Sequence, residues 1–183
     1  MKKSVIKFVV VISALFVLAL TTVSAQQKAP ASPAATAETM IDGKKVTINY
    51  SRPSMKGRKV MGELVPYDKV WRTGANKATV LTTEVDLMFG KTVVPAGTYS
   101  LFTLPSASGW KLIINKFMPS WGIPYKPEYE KDELGRFDMK VGKTAAPVEM
   151  FTINLEGKGN KGKLTLEWEN TSASIEMAYK PQK

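Results

Sequence analysis

Neither cysteine nor histidine occurs anywhere in the sequence. Their joint absence removes the thiolates and imidazoles that build a structural zinc site, a Cys–His nucleophile pair, a Ser–His–Asp triad or a histidine general base. Disulfides are removed too, so the fold has to stand on burial alone. A domain of about 140 residues buries on the order of two-thirds of the surface its unfolded chain exposes, which suffices. No stretch carries the Asp-rich, Gly-containing spacing of a calcium loop, and no motif asks for a cofactor. Carboxylates, hydroxyls, Lys, Arg and Tyr are the chemistry that remains. Acids are scarce: 16 Asp and Glu stand against 26 Lys and Arg, a formal charge of +10. That excess favours anionic partners such as lipid headgroups, acidic polysaccharide or nucleic acid, the last without specific recognition.

Long apolar runs are limited to one. Lys2 and Lys3 precede an apolar stretch from Phe8 to Leu20, shorter than the ~20 residues needed to cross a hydrocarbon core. Val23 and Ala25 are small residues at the two positions of an A-x-A-like cleavage site. Residues 1–25 therefore read as a signal peptide cleaved after Ala25, leaving no transmembrane span, and the expected location is the periplasm or the outside of the cell. Loss of Lys2, Lys3 and Lys7 with the leader keeps the chain basic, at about +7. Gln26 to Thr39 is Ala, Pro, Ser and Thr with almost no large apolar side chain, so residues 26–39 are expected to be a disordered spacer. Residues 40–180 are expected to form a single β-rich domain.

What that domain has is alternation. Phe151, Ile153 and Leu155 alternate with Thr152, Asn154 and Glu156, and Leu164, Leu166 and Trp168 alternate with Thr165, Glu167 and Glu169. Period two marks strands with one wet face, and Gly157 to Gly162 supplies the Gly and Asn of a hairpin connection. Ile175, Met177 and Tyr179 alternate again after a turn expected near Asn170, which predicts a three-stranded meander. Further β-rich runs are Val46–Tyr50, Thr79–Thr83, Val85–Phe89, Thr98–Leu104 and Trp110–Ile114, separated by turn signals such as Gly90-Lys91 and Pro95-Ala96-Gly97. The fold class is all-β: an antiparallel β-sandwich, with a barrel as the alternative. Helix is limited to a turn around Glu128 to Leu134. Two segments break the rhythm, Ser51 to Asn76 and Phe117 to Lys140, and long irregular loops inside a compact domain are where function is sought.

Several runs are distinctive as sequence: Ser51-Arg52-Pro53, Lys56-Gly57-Arg58, Gly62 to Tyr67, Val70-Trp71-Arg72-Thr73-Gly74-Ala75-Asn76, and Pro95 to Thr103, continued by Trp121-Gly122, Pro147-Val148 and Leu166-Glu167-Trp168. With them the chain resembles the family called domain of unknown function 2911, seen in exported proteins of Gram-negative bacteria. The resemblance covers nearly all of the domain. It implies an exported β-rich fold and assigns no residue a role.

Three constellations are candidates. Arg52, Lys56, Arg58 and Lys59, with Arg72 and Asn76 around Trp71, bring planar donor forks suited to carboxylate, sulfate or phosphate. The alternative is that Arg52 and Arg72 pair with Glu63 and Asp68 and clamp the loop. Trp121, Tyr125, Tyr129 and Phe137, on a segment stiffened by Pro119, Pro124 and Pro127, have the makings of a stacking platform for a sugar ring or of a packing anchor. Glu63 with Asp68, or Glu128, Glu130, Asp132 and Glu133, are the carboxylates available for hydrolysis without histidine. The leading expectation is a non-catalytic binding module for an anionic or carbohydrate ligand. Its site would use Arg52, Arg58, Trp71, Arg72, Asn76 and Trp121, with no metal and no cofactor. An envelope structural protein and a carboxylate-dependent hydrolase stand behind it.

Overall fold

Alternating side chains become strands wherever both faces find something to pack against or to wet. The computed structural model describes residues 31–122 and 124–181; the expected signal peptide and residues 26–30 of the expected spacer lie outside them. Among the described residues nine strands are formed: β1 (Ala34–Ile41), β2 (Lys44–Ser51), β3 (Thr79–Thr83), β4 (Leu87–Phe89), β5 (Thr92–Val94), β6 (Gly97–Pro105), β7 (Trp110–Asn115), β8 (Glu133–Lys158) and β9 (Lys161–Tyr179). They make one antiparallel sheet in the order β1-β2-β3-β6-β7-β8-β9-β4-β5, and a 3-10 helix covers Pro127–Asp132. The all-β expectation stands.

The two layers of a sandwich come from this one sheet because β8 and β9 double over. The first part of β8, up to Met139, pairs with β7, while Thr152 to Lys158 pairs with the start of β9. Register shifts on either side of Val148 bend β8, and Glu169 bends β9 with a φ of 55°. The Tyr179 N–H consequently donates to the carbonyl of Asn160 (2.8 Å), so the two ends of β9 lie side by side. The core fills the space enclosed: Ile41, Val46 and Ile48 from β1 and β2, Leu101, Leu112 and Ile114 from β6 and β7, and Phe151, Leu164, Leu166 and Trp168 from the doubled hairpin.

No barrel closes. The terminal strands β1 and β5 do not pair, and beside β1 the later part of β8 is held by side chains instead. The Tyr50 hydroxyl accepts from the Ile153 N–H (3.0 Å) and donates to its carbonyl (3.5 Å). Arg52 Nε donates to the Phe151 carbonyl (3.1 Å) and Nη2 to Thr152 Oγ1 (2.8 Å).

Three expectations need correction. Ala34 to Thr39, read as spacer, is most of β1: Ala35 pairs with Tyr50 and Ala37 with Ile48, and Ala37 is buried. A strand beside a ready partner needs backbone groups and small side chains rather than large apolar ones. The meander is absent, because no turn forms near Asn170 and β9 runs through it. The second irregular loop ends at Asp132, since Glu133 to Met139 pairs with β7.

Candidate functional site

The loop from Ser51 to Asn76 is tied down along its length. Trp71 exchanges backbone hydrogen bonds with Thr103 (2.7 and 2.9 Å). Its indole stacks on Trp168 at a ring separation of 5.8 Å and meets the edge of Phe151 at 4.9 Å, which makes it a flank of the core and not the wall of a site. Arg58 turns back on its own loop, donating to the carbonyls of Met55 (2.9 Å) and Ser54 (2.8 Å). Arg52 is spent on β8, as described. Neither Arg52 nor Arg72 pairs with Glu63 or Asp68; the partner of Glu63 is Lys59 at 3.8 Å. The loop is clamped, but its arginines find backbone carbonyls and the Thr152 hydroxyl as acceptors, and the carboxylates that hold it, Glu149 and Glu169, accept from backbone N–H groups.

The run from Thr73 to Asn76 has an unusual backbone. Thr73 (φ 55°) and Asn76 (φ 58°) both take the left-handed region, uncommon for a β-branched residue such as Thr73. Tertiary bonds hold it: Thr73 Oγ1 donates to Thr103 Oγ1 (3.1 Å), and Thr79 Oγ1 donates to the Thr73 carbonyl (2.7 Å). A larger residue at Gly74 is strained, because its φ is 152° and a Cβ there would lie 3.0 Å from Thr79 Oγ1 and 3.1 Å from the Ser51 carbonyl. The result is that Arg72 and Asn76 both reach Gly122. Arg72 Nη1 donates to the Gly122 carbonyl, and the Gly122 N–H donates to the Asn76 carbonyl (2.7 Å). Asn76 also secures the start of the domain, its Nδ2 donating to the Ser32 carbonyl (3.1 Å). Trp121, next to this clamp, leaves 52% of its surface in solvent.

Residues 117–122 and 124–132 form a strap over the outer face of β6 and β7. That face carries Phe102 and Ile113, both fully covered and separate from the main core. Tyr125 meets Phe102 edge-on at 4.9 Å and Phe117 stacks on Tyr129 at 4.1 Å. Asn115 Nδ2 donates to the Tyr129 carbonyl (2.9 Å). The Tyr125 hydroxyl donates to Glu133, and Arg136 bonds Glu133 (2.8 Å) and Glu130 (2.9 Å). Burial first, and then the bond to Glu133, holds the Tyr125 phenol well above the ordinary tyrosine value. The hydrogen bond to Glu133 raises the Arg136 guanidinium likewise. Tyr125 and Tyr129 are therefore packing anchors, and Phe137 packs against Phe89 at 5.1 Å. Of the expected aromatic platform, only Trp121 stands in solvent.

Of the sequence candidates, Arg72, Asn76 and Trp121 are brought together, while Arg52, Arg58 and Trp71 are not. Lys77, which follows Asn76, and Ser120, which precedes Trp121, line a cleft of about 660 Å³ against β1, β2 and β3, although none of the three lines it. Thr36, Asn49 and Val80 stand side by side in its floor through the register of the three strands. Lys77-Ala78 and Pro119-Ser120 form its walls. The Thr36 hydroxyl donates to Asn49 Oδ1 (2.7 Å), so the NH2 of Asn49 remains a donor for other partners. Lys77 is exposed, and among the described residues no carboxylate lines the cleft. Lys77 directly follows the distinctive run ending at Asn76 and was legible as a neighbour of it. The floor was not, because half of it belongs to the strand read as spacer. Among the described residues no group of three or more acids is placed to hold a metal ion.

A family model described as "Protein of unknown function (DUF2911)" matches residues 32–177, from just before β1 to near the end of β9. No curated protein and no solved structure matches the chain.

Proposed function

The chain belongs to this family of proteins of unknown function, and we propose that it is an exported, non-catalytic binding module whose anionic or polyhydroxylated ligand lies in the cleft between the strap and β1–β3. The observation that carries the reading is the cleft itself. Its volume is in the range of small-molecule sites, and apolar walls with a few polar groups are the usual composition of such sites. A strap braced by Gly122 at one point and Tyr125 at another gives the cleft a preformed wall, which lowers the ordering cost of binding. Catalysis is disfavoured by the lining, which among the described residues offers one lysine, a tyrosine whose hydroxyl is bonded to Ile153, and no carboxylate to act as general acid or base. A second cleft of about 450 Å³ at the β8–β9 turn is less suited to an anion, because Glu156 and Glu176 offset Lys158, Lys161 and Lys163.

The test is a thermal-shift screen with neutral sugars, uronic acids, phosphate and lipid headgroups, since a ligand that binds only the native state stabilises it by about 2.7 kcal/mol at 100 times its Kd. Val80→Trp, which fills the floor of the cleft, is expected to abolish the shift given by any hit. A shift that survives Val80→Trp, or release of reducing sugar from a polysaccharide panel, overturns the reading.

A further inference from the structure

Resting on that reading, we infer that the ligand is an acidic sugar, with a ring stacked on Trp121 and its carboxylate opposite Lys77. The cations decide between sugar and phosphate. A phosphate or sulfate group is best gripped by several convergent donors, of which the arginine fork is the strongest. Here Arg52 serves β8, Arg58 serves its own loop, and Arg72, which gives Nη1 to the Gly122 carbonyl, is not in the lining of the cleft. Among the described residues Lys77 is the one cation that lines the cleft, and a single compact ammonium matches a single carboxylate.

The aromatic points the same way. Trp121 adjoins Ser120 of the cleft wall, and it is far more exposed than the other tryptophans, of which Trp110 and Trp168 are buried and Trp71 is half-buried. It is also firmly placed. Gly122 is bonded through both its N–H and its carbonyl, and a Cβ on it would lie 2.6 Å from Arg72 Cδ and 2.9 Å from the Asn76 carbonyl. The backbone beside the indole is thus held while the ring stays in water, which suits stacking against the apolar face of a pyranose at low entropic cost. Thr36, Asn49 and Ser120 supply hydroxyls and an amide for sugar hydroxyls, and Ala78, Val80 and Pro119 give the apolar remainder. Arg72 and Asn76 act as positioning residues for Trp121.

Calorimetric titration decides it, using trimers of galacturonate, glucuronate and mannuronate, the methyl ester of each, and inorganic phosphate. At least one acid trimer is expected to bind about tenfold tighter than its ester. Lys77→Gln should erase that preference while keeping the binding of the ester. Trp121→Ala should weaken acid and ester alike by about tenfold or more with an unchanged melting temperature, and Trp121→Phe should recover part of the loss. Phosphate binding that Val80→Trp abolishes, with no trimer bound, would overturn the sugar while leaving the binding-module reading intact. Equal affinity for acid and ester, an unaffected Trp121→Ala protein, or no binding of any trimer overturns the inference as well.

Discussion

At the scale of single residues, Tyr50 and Arg52 act in place of a missing strand. Their side chains satisfy the N–H and carbonyl of Ile153 and the carbonyl of Phe151 along the part of β8 that lies beside β1. Tyr50→Phe leaves the buried Ile153 N–H without its acceptor, and urea unfolding is expected to show a loss of about 1–3 kcal/mol. Arg52→Lys should not restore what Arg52→Ala loses, because the two bonds leave in different directions from one planar fork. Tyr125 offers a spectroscopic check. Its phenol is raised above the ordinary value of 10.0, so the stability linked to it is complete below about pH 10 and is lost as pH climbs through the raised value. Absorbance titration should show phenol ionisation trailing above the ordinary range, and Tyr125→Phe should shorten that tail; an identical curve would mean that burial and Glu133 do not raise the Tyr125 phenol.

At the scale of elements, the doubled hairpin and the strap determine what is buried and what is presented. Where the hairpin passes β1, Gly157 leaves no room: a Cβ would sit 2.1 Å from the Met40 carbonyl and 2.6 Å from Thr39 Oγ1. Backbone cannot yield as a side chain can, so Gly157→Ala is expected to cost about 1–3 kcal/mol or more, measured as a fall in the urea midpoint. Glu169 makes the fold-back hold, since its carboxylate accepts from the N–H groups of Val60 (3.1 Å) and Met61 (3.4 Å) while its backbone bends β9. The strap spends its tyrosines on the outer face of β6 and β7. That is why an aromatic-rich segment presents one ring to solvent rather than a platform of four.

For the whole molecule, the decisive feature is that one sheet builds both layers around a shared core, with β1 closing the side next to β8. The consequence concerns where the domain begins. A chain starting at Ser32 is expected to keep the full melting temperature, because Ser32 and Pro33 receive the bonds from Asn76 and Arg52 and β1 is whole. A chain starting at Met40 loses the pairing of β1 with β2 from Ala34 to Thr39 and bares the β2 edge. It should melt markedly lower and aggregate on concentration. Equal melting of the two chains would return Ala34 to Thr39 to the spacer.

The β class, most strand positions and the first irregular loop were determined by the sequence alone, because alternation such as Leu164, Leu166 and Trp168 is a local signal that burial of one face enforces. Three things were decided only in the tertiary structure. Ala34 to Thr39 has no pattern of its own and becomes a strand because β2 offers its edge. Glu133 to Met139 hides its strand among charges and glycine, and is drawn into the sheet by β7. Arg72, Asn76 and Trp121 meet because a left-handed Thr73, held by Thr79 and Thr103, turns the loop toward a glycine about fifty residues on. Period and turn chemistry are written in neighbouring residues, whereas a hydrogen bond between distant segments depends on which chain the fold places opposite.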